Sequence, residues 1–297
     1  MVIPSPETLA LIARLIAFNT VSRESNLGLI EWVRDHLASF GVKPRLTYDT
    51  GRRKANLFAT LGERRDGGIV LSGHTDVVPV DGQKWSSDPF KAVQRDGRIY
   101  GRGAADMKSF IAVALANIPR FLATEPPRPI HFAFSYDEEV GCVGVRGLLS
   151  DLAVAGIKPD GCIVGEPTGM AVAIGHKGGR TVRCRVHGRE AHAALAPTAV
   201  NAIEYAARLI VALRERADRF IAAEPRAPGY DVPHSTVMTG VISGGVAGNI
   251  VPRDCEFRFG MRYLPTTDPE RLLAEVRDYA ARELVPEMRR EIGRAHV

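Results

Sequence analysis

The segment GIVLSGHTD (68–76) is a short apolar run that ends in a histidine and an aspartate. Two later segments follow the same plan, PIHFAFSYDEE (129–139) and GCIVGE (161–166), because each is an apolar run that ends in carboxylates. Apolar runs of this length, bounded by turn residues, are typical of buried strands in a sheet. The three segments therefore predict a sheet with ionisable side chains at the ends of its strands.

Helical patterns alternate with these strands along the first half of the chain. Residues 27–40, 106–122 and 143–152 repeat apolar side chains at helical spacing. This alternation predicts an α/β domain with helices on the faces of its sheet. Beyond Gly169 the order changes to strand, helix, strand, strand and helix over 179–284, which is one strand short of a split-βαβ sandwich.

The composition excludes several classes of protein. The chain has 297 residues, of which 45% are hydrophobic and 25% charged, as in a soluble globular protein with room for roughly two domains. No apolar run approaches the roughly 20 residues of a membrane span. The apolar stretch 9–18 lacks the basic leader and cleavage site of a signal peptide. We therefore expect no membrane partner.

Charge and cysteine content narrow the class further. The net charge is +5, but the arginines are scattered, with no block of like charges and no interleaved aromatic platform, so we expect no nucleic-acid partner. The cysteines form no C-x-x-C pair, which suits a reducing cytoplasm. They are Cys142, Cys162, Cys184 and Cys255.

Five ionisable residues from four segments are expected to meet at one edge of the sheet. They are His74, Asp106, Glu138, Glu139 and Glu166. Strand ends and helix starts share one rim in an open α/β sheet, and ligands bind at that rim. Carboxylates with one imidazole suit Zn²⁺, Mn²⁺ or Co²⁺. The sequence therefore predicts a metal site.

Asp76 lies two positions after His74, so both side chains fall on one side if the strand continues. The Asp76 carboxylate is expected to accept the second imidazole N–H of His74 and thereby to fix the tautomer of the ligand.

Each member of the set also has an ordinary structural interpretation. His74 alone could be a hydrogen-bonded structural residue, and Asp106 could cap a helix. Glu138 and Glu139 could favour a helix start, and Glu166 could be a turn residue. Together these explanations need four unrelated coincidences at one edge of one sheet, so we favour the metal site.

Eight segments carry a wider set of motifs, in a fixed order along the chain. They are SGHTDVVPVDGQKWSSDPF (72–90), YGRGAADMK (100–108), FSYDEEVG (134–141), VGEPTG (164–169), GHKGG (175–179), GREAHAALAP (188–197), NAIEYAARLI (201–210) and GGVAGNIVP (244–252). With these motifs the chain resembles the M20 family of di-zinc amidohydrolases. The similarity extends to about Val285, and the first four motifs in this order are highly specific for the superfamily.

The resemblance implies two zinc ions per complete subunit, with Co²⁺ or Mn²⁺ as alternatives. His74, Asp106 and Glu166 would hold one ion, and Asp106 would bridge to a second ion that Glu139 also holds. Two ions about 3.5–4 Å apart can share and activate one water and polarise an amide carbonyl.

The implied reaction is hydrolysis of an N-acyl amino acid. Glu138 would act as general base and Asp76 as orienting acid. Within the resemblance, the motif VPVDGQ (78–83) favours N2-acetyl-L-ornithine as the substrate. Its hydrolysis would give L-ornithine and acetate in arginine biosynthesis. Other N-acyl amino-acid hydrolyses remain open, such as desuccinylation of succinyl-diaminopimelate or dipeptide cleavage. A non-catalytic fragment that keeps only a dimer surface is a further alternative.

The resemblance also implies a domain plan. Residues 1–172 would form the first part of a zinc-peptidase-like catalytic domain with a mixed sheet, and 173–290 an inserted ferredoxin-like α+β lid through which a homodimer forms. His192 would hydrogen-bond the oxyanion in a partner's site, and Asn249 and Arg262 would contact substrate. An arginine fork suits a carboxylate, although an arginine in a strand can equally face solvent.

One departure from the family pattern concerns the last zinc ligand. In the family the chain returns to the catalytic domain after the lid and supplies a final histidine. After His234 only His296 remains, within IGRAHV (292–297), which reads like a translated sequencing adapter. We therefore expect 291–297 to be an artefactual tail, the last lid strand to be incomplete, the second zinc to bind weakly and the activity to be poor. A strand edge and apolar surface would be exposed.

Overall fold

The computed structural model describes residues 4–62, 67–124 and 126–290, together with the backbone of Arg294–His296. The chain divides into two compact units, Met1–Ala171 and Val172–Val297. Each unit encloses a hydrophobic core of its own. Among the described residues, no helix combines the length and apolarity needed to cross a bilayer.

The first unit is built on a mixed five-stranded sheet. Its strands are β1 (Arg45–Tyr48), β2 (Ala55–Leu61), β3 (Ile69–His74), β6 (Ile130–Ser135) and β7 (Gly161–Val164), and a separate hairpin consists of β4 (Val93–Arg95) and β5 (Arg98–Tyr100). The order in the sheet is β1-β2-β6-β3-β7. The pairs β1–β2 and β2–β6 are antiparallel, whereas β3 runs parallel to both β6 and β7.

Helices cover both faces of this sheet, which confirms the predicted α/β class. They are α1 (Pro6–Ile16), α2 (Leu27–Ala38), α3 (Lys108–Ala116), α4 (Ile118–Ala123) and α5 (Val145–Val154). Alternate residues of β2 point to opposite faces. Leu57 belongs to the core shared with α1 to α4, whereas Phe58 belongs to the cluster that contains Leu148 and Leu152 of α5.

The sheet register brings the candidate ligands to one edge. His74 is the last residue of β3 and is paired with Ser135, the last residue of β6. Ser72 of β3 is paired with Val164 at the end of β7. Since these three strands are parallel, their carboxyl ends lie at the same edge, and the residues that follow them emerge there.

The helix predicted over 106–122 differs from the observed one in two ways. It begins at Lys108 with Met107 at the N-cap, so Asp106 lies before the helix and does not cap it. It is also divided at Asn117, which follows α3 and precedes α4. Pro119 at the start of α4 has no N–H to continue the hydrogen-bond ladder of α3, which explains the division.

The second unit has a four-stranded antiparallel sheet and a helical layer. Its elements are β8 (Gly178–His187), α6 (Ala202–Ala223), β9 (Thr236–Gly244), β10 (Asp254–Tyr263), α7 (Pro269–Tyr279), a π turn (Ala280–Leu284), α8 (Val285–Arg290) and β11 (Arg294–His296). The strand order is β11-β8-β10-β9, as in a ferredoxin-like sandwich. Leu209 and Leu213 of α6 share one core with Phe257 and Phe259 of β10.

The short strand β11 supplies the fourth strand of this sheet. Its backbone pairs antiparallel with the end of β8, from Arg294 opposite His187 to His296 opposite Arg185. Residues 291–293 and 297 and the side chains of 294–296 lie outside the described residues. The structure therefore does not describe the position of the His296 imidazole. The hypothesis of an artefactual tail at 291–297 likewise concerns residues that lie outside the described ones, apart from the backbone of β11.

Candidate metal centre

His74 stands at the centre of the candidate site, with 2% of its side chain exposed. Its Nδ1 lies 2.9 Å from the main-chain carbonyl oxygen of Asp76. Because a carbonyl oxygen only accepts hydrogen bonds, Nδ1 carries the proton in this contact. Nε2 is then the ligand atom, and it faces the carboxylates.

The candidate carboxylates surround this nitrogen. Nε2 lies 2.9 Å from Asp106 Oδ1, 3.5 Å from Glu166 Oε1 and 3.9 Å from Glu138 Oε2. Within two groups, His74 with Asp106 and Glu139, and His74 with Glu138 and Glu166, the potential ligand atoms all lie within 4.8 Å of one another. The structure thus brings together all five residues that the sequence placed at this edge.

The electrostatics of the cluster favour a cation. Burial raises the pKa of Glu139 and of Glu166, and the negative charge of Asp106 adds to both effects. Burial alone would lower the pKa of His74, but the hydrogen bond and charge of Asp76, together with Glu166, raise it to about 9. Protons and divalent cations compete for such ligands, so a bound ion would release protons and relieve the repulsion.

The donor set fits a zinc-type ion. One imidazole nitrogen and several carboxylate oxygens match the preferences of Zn²⁺, Mn²⁺ and Co²⁺. The side chains of Asp106 and Glu166 are 48% and 37% exposed, so the cluster is open on one side. An open side is what a catalytic metal needs for water and substrate, whereas structural zinc sites are closed.

Asp76 is held differently from the expectation. Its Oδ1 lies 3.6 Å from His74 Nδ1, farther than its own carbonyl oxygen. The carboxylate instead accepts hydrogen bonds from Ser22 Oγ at 2.7 Å and from the amides of Glu138 at 3.0 Å and Glu139 at 3.3 Å. Burial opposes ionisation of Asp76, but hydrogen bonding outweighs it and lowers the pKa. Asp76 therefore orients the histidine through its backbone and the two glutamates through its side chain.

Two residues with a clear supporting role were missed from the sequence. Ser22 binds Asp76, as described above. Asn56 of β2 is fully buried, accepts from the amide of Tyr136 at 3.3 Å and donates to the carbonyl of Gly144 at 2.9 Å. Asn56 thus holds both ends of the loop that carries the glutamates. An asparagine within a mostly apolar strand was the available signal.

Two more residues hold the backbone next to ligands. Lys108 is fully buried, its Nζ donates to the carbonyl of Phe18 at 2.7 Å, and burial lowers its pKa to about 7. Gly165 precedes Glu166, and the ring of Phe110 occupies the space that a Cβ would need there. Lys108 thus ties the start of α3, two residues after Asp106, to Phe18, and Gly165 allows Phe110 to pack against the residue before Glu166.

Three further residues, predicted from the resemblance, lie in the second unit and are exposed. His192 caps the 3₁₀ helix Ala193–Thr198, and the segment around it pairs with the segment that contains Asn249. Arg262 lies eight residues beyond the start of β10, roughly 25 Å along the strand, with its guanidinium against Gly179. Within this unit the structure places His192 beside Asn249 and Arg262 apart from both.

Comparisons with known proteins agree with this fold. The sequence model of the family described as Peptidase family M20/M25/M40 matches residues 70–293, which is more than half of the chain. The chain therefore belongs to the M20 family, as its motifs predicted. Its fold is that of metal-dependent peptidases and amidohydrolases.

Relatives with curated names are identical to this chain at about a third of the aligned positions. The acetylornithine deacetylase of Pasteurella multocida (strain Pm70) is 34% identical over 267 residues, which cover 88% of this chain and 69% of that protein. The acetylornithine deacetylase of Vibrio parahaemolyticus (serotype O3:K6) is 36% identical over 212 residues, or 71% of this chain and 55% of that protein. The matched part is thus about half to two thirds of these relatives.

Solved structures show the same fold at low sequence identity. The M20 family metallo-carboxypeptidase Sso-CP2 from Sulfolobus solfataricus has a TM-score of 0.71 at 18% identity, over 93% of this chain and 76% of that chain. The YxeP protein of Bacillus subtilis, a dinuclear metal binding peptidase of the M20 family, has a TM-score of 0.59 at 16% identity, over 97% and 71%.

Proposed function

We propose that this chain belongs to a zinc-dependent enzyme that hydrolyses N2-acetyl-L-ornithine to L-ornithine and acetate, in arginine biosynthesis. The observation that carries the proposal is the convergence of Asp106, Glu138 and Glu166 on His74 Nε2, within 3.9 Å. The relatives named acetylornithine deacetylase support the choice of substrate.

The proposed reaction assigns a role to each part of the site. His74, Asp106, Glu139 and Glu166 would contribute ligands to two divalent ions, of which the ion near Glu139 is expected to bind weakly. When bound, such ions would polarise the amide carbonyl and make the attacking water more acidic. Glu138 accepts a proton from that water and returns it to the leaving amine nitrogen. Asp76 keeps Glu138 in place through its amide. A half-open cluster leaves room for the acyl group.

A substrate panel tests this proposal. Zinc-loaded protein would be given N2-acetyl-L-ornithine, succinyl-diaminopimelate and dipeptides, and the release of free amine measured. We expect kcat/KM for N2-acetyl-L-ornithine to exceed the others by about tenfold or more, equivalent to about 1.4 kcal/mol of transition-state discrimination. A preference for another substrate would replace the proposed one. Zinc binding without any hydrolysis would favour the non-catalytic alternative.

We further propose that the enzyme works in the cytoplasm as a homodimer, joined through the second unit. Strand β9 supports the dimer because it lies at an edge of its sheet and exposes Met238, Val241 and Ile242. Exposed apolar side chains on an unpaired edge are typical of association surfaces. A molar mass near 32 kDa by light scattering, which is the mass of one chain, would contradict the dimer.

His192→Ala is expected to lower kcat by about a hundredfold, because removal of one oxyanion donor typically has an effect of that size. Zinc content should stay at the wild-type value, since His192 is proposed to touch the substrate and not the metal. Steady-state kinetics and metal analysis of the same preparation would check both. His187→Ala, another histidine of the same unit, is the control. Loss of zinc from the His192 variant would count against the oxyanion role.

A further inference from the structure

The loop between β6 and α5 carries Glu138 and Glu139, and its conformation is unusual. Asp137 and Cys142 have φ values of 55° and 53°, in the left-handed region that non-glycine residues seldom adopt. Such a backbone persists only when surrounding contacts enforce it. The contacts that enforce it at Asp137 therefore decide where the next two side chains lie.

The side chain of Asp137 is held by an ion pair with Lys54, and the proposed reaction does not use this pair. Its Oδ1 lies 2.5 Å from Nζ of Lys54, and the side chains are only 17% and 16% exposed. The same Nζ donates to the carbonyl of Ser22 at 2.5 Å. A half-desolvated ion pair of this kind is stronger than one on the open surface, where screening by water weakens the attraction.

These contacts form a closed network of hydrogen bonds next to the candidate metal ligands. Lys54 joins Ser22 to Asp137, and the Ser22 hydroxyl binds the Asp76 carboxylate. Asp76 in turn accepts the amides of Glu138 and Glu139. Asp137 and the amides of the two glutamates are therefore tied into one network, and Lys54 is its only cation among the described contacts.

Lys54 also compensates the negative charge of Asp137. Asp137 adds a carboxylate next in sequence to Glu138, which belongs to one of the two groups of potential metal ligands. The ion pair with Lys54 neutralises that charge and holds the Asp137 carboxylate against the ammonium group. Without the ammonium group, the Asp137 carboxylate would lose its partner while still partly buried, which is unfavourable.

We propose that Lys54, through its ion pair with Asp137, is the positioning residue that fixes Glu138 and Glu139 at the metal site. The described contacts of the Lys54 ammonium group include none of the candidate metal ligands, so it acts through the backbone of the loop. Its kinetic consequence rests on the proposed function, whereas its effect on the loop does not.

Amide hydrogen exchange tests the loop directly and needs no activity. In Lys54→Met we expect the Glu138 and Glu139 amides to exchange about tenfold faster or more than in the wild type, because local opening is no longer opposed. Amides in the core of β2 and β6 should keep their protection. Asp137→Asn, which retains the shape and tolerates the left-handed backbone, should show the same local effect.

Matched variants separate positioning from general destabilisation. Arg45→Met removes another cation that joins two elements of this unit through Asp151 and should leave exchange at Glu138 and Glu139 unchanged. Lys54→Arg should restore most of the protection lost in Lys54→Met. The double variant Lys54→Met with Asp137→Asn should exchange no faster than either single variant, since both remove one interaction.

The kinetic arm uses the zinc-loaded protein. If N2-acetyl-L-ornithine is hydrolysed, Lys54→Met should lower kcat by about a hundredfold with KM changed by less than about twofold, because small misplacements of catalytic groups have effects of this order. Unchanged exchange at Glu138 and Glu139 in both Lys54→Met and Asp137→Asn would overturn the proposal. A faster loop in a protein that hydrolyses nothing would support the positioning role while the proposed function fails.

Discussion

His74→Ala is expected to abolish tight zinc binding. Nε2 of His74 belongs to both groups of potential ligand atoms, so its removal leaves only carboxylates that repel one another. Loss of an outer partner of a metal ligand typically weakens binding about 10–100-fold. Loss of the ligand itself should exceed the upper end of that range. Competition with a chelator of known affinity measures the change.

His36→Ala provides the control for this prediction. His36 lies on α2, stacked against Trp32 and outside the cluster, so its removal should leave zinc affinity within about twofold of the wild type. Circular dichroism would verify that both variants are folded. A His74→Ala protein that is folded and binds zinc as the wild type does would contradict the assignment of this residue as a ligand.

Glu138→Gln is expected to lower kcat by about 10²–10⁴-fold, the usual contribution of a general base. The amide has nearly the same shape as the carboxylate but cannot accept a proton from water. The amide hydrogen bond from Glu138 to Asp76 does not involve the side chain and should persist. Zinc content should therefore remain close to that of the wild type, and kcat and metal would be measured on one preparation.

The same experiment separates two roles for Glu138. Its Oε2 lies 3.9 Å from His74 Nε2, in a group with Glu166 that could itself hold an ion. Loss of zinc in the glutamine variant would identify Glu138 as a ligand and not as a base. Full activity with full zinc content would exclude both roles. Glu31→Gln on α2, remote in sequence and exposed, is the matched control.

The ligand positions could be predicted because they follow strands that are easy to recognise. Strand β6 is buried and β3 is partly buried, both end in turn residues, and parallel strands place their carboxyl ends at one edge. The prediction that GCIVG (161–165) is a buried strand was wrong, because β7 lies at the edge of the sheet and is exposed. His74 and Glu166 needed no knowledge of side-chain contacts to be placed there. The helix start at Asp106 was predicted two residues too early, because periodicity does not fix helix boundaries.

The supporting contacts could not be predicted, because each joins distant parts of the chain. Ser22 and Asp76 are 54 residues apart, Lys54 and Asp137 are 83 apart, and Asn56 and Gly144 are 88 apart. A single serine, lysine or asparagine has many potential partners, and only the folded backbone selects one. The choice of the Asp76 carbonyl over its carboxylate as the partner of His74 is likewise a matter of sub-ångström geometry.

Short elements of the second unit raised a related difficulty. The sequence predicted the strands β8, β9 and β10, but not the three-residue β11. A strand this short carries almost no periodic signal, although its backbone pairs with that of β8. The position of Arg262 along β10, away from the segment that carries His192, also depends on strand register, which single residues do not reveal.

Anomalous scattering at the zinc edge from crystals of the zinc-loaded protein would test the central claim most directly. We expect an anomalous peak about 2.0–2.1 Å from His74 Nε2, with oxygens of Asp106 and Glu166 at about 2.0–2.2 Å from the same ion. Well-ordered crystals grown with saturating zinc that show no peak within coordinating distance of His74 would contradict the metal centre, and with it the proposed hydrolase.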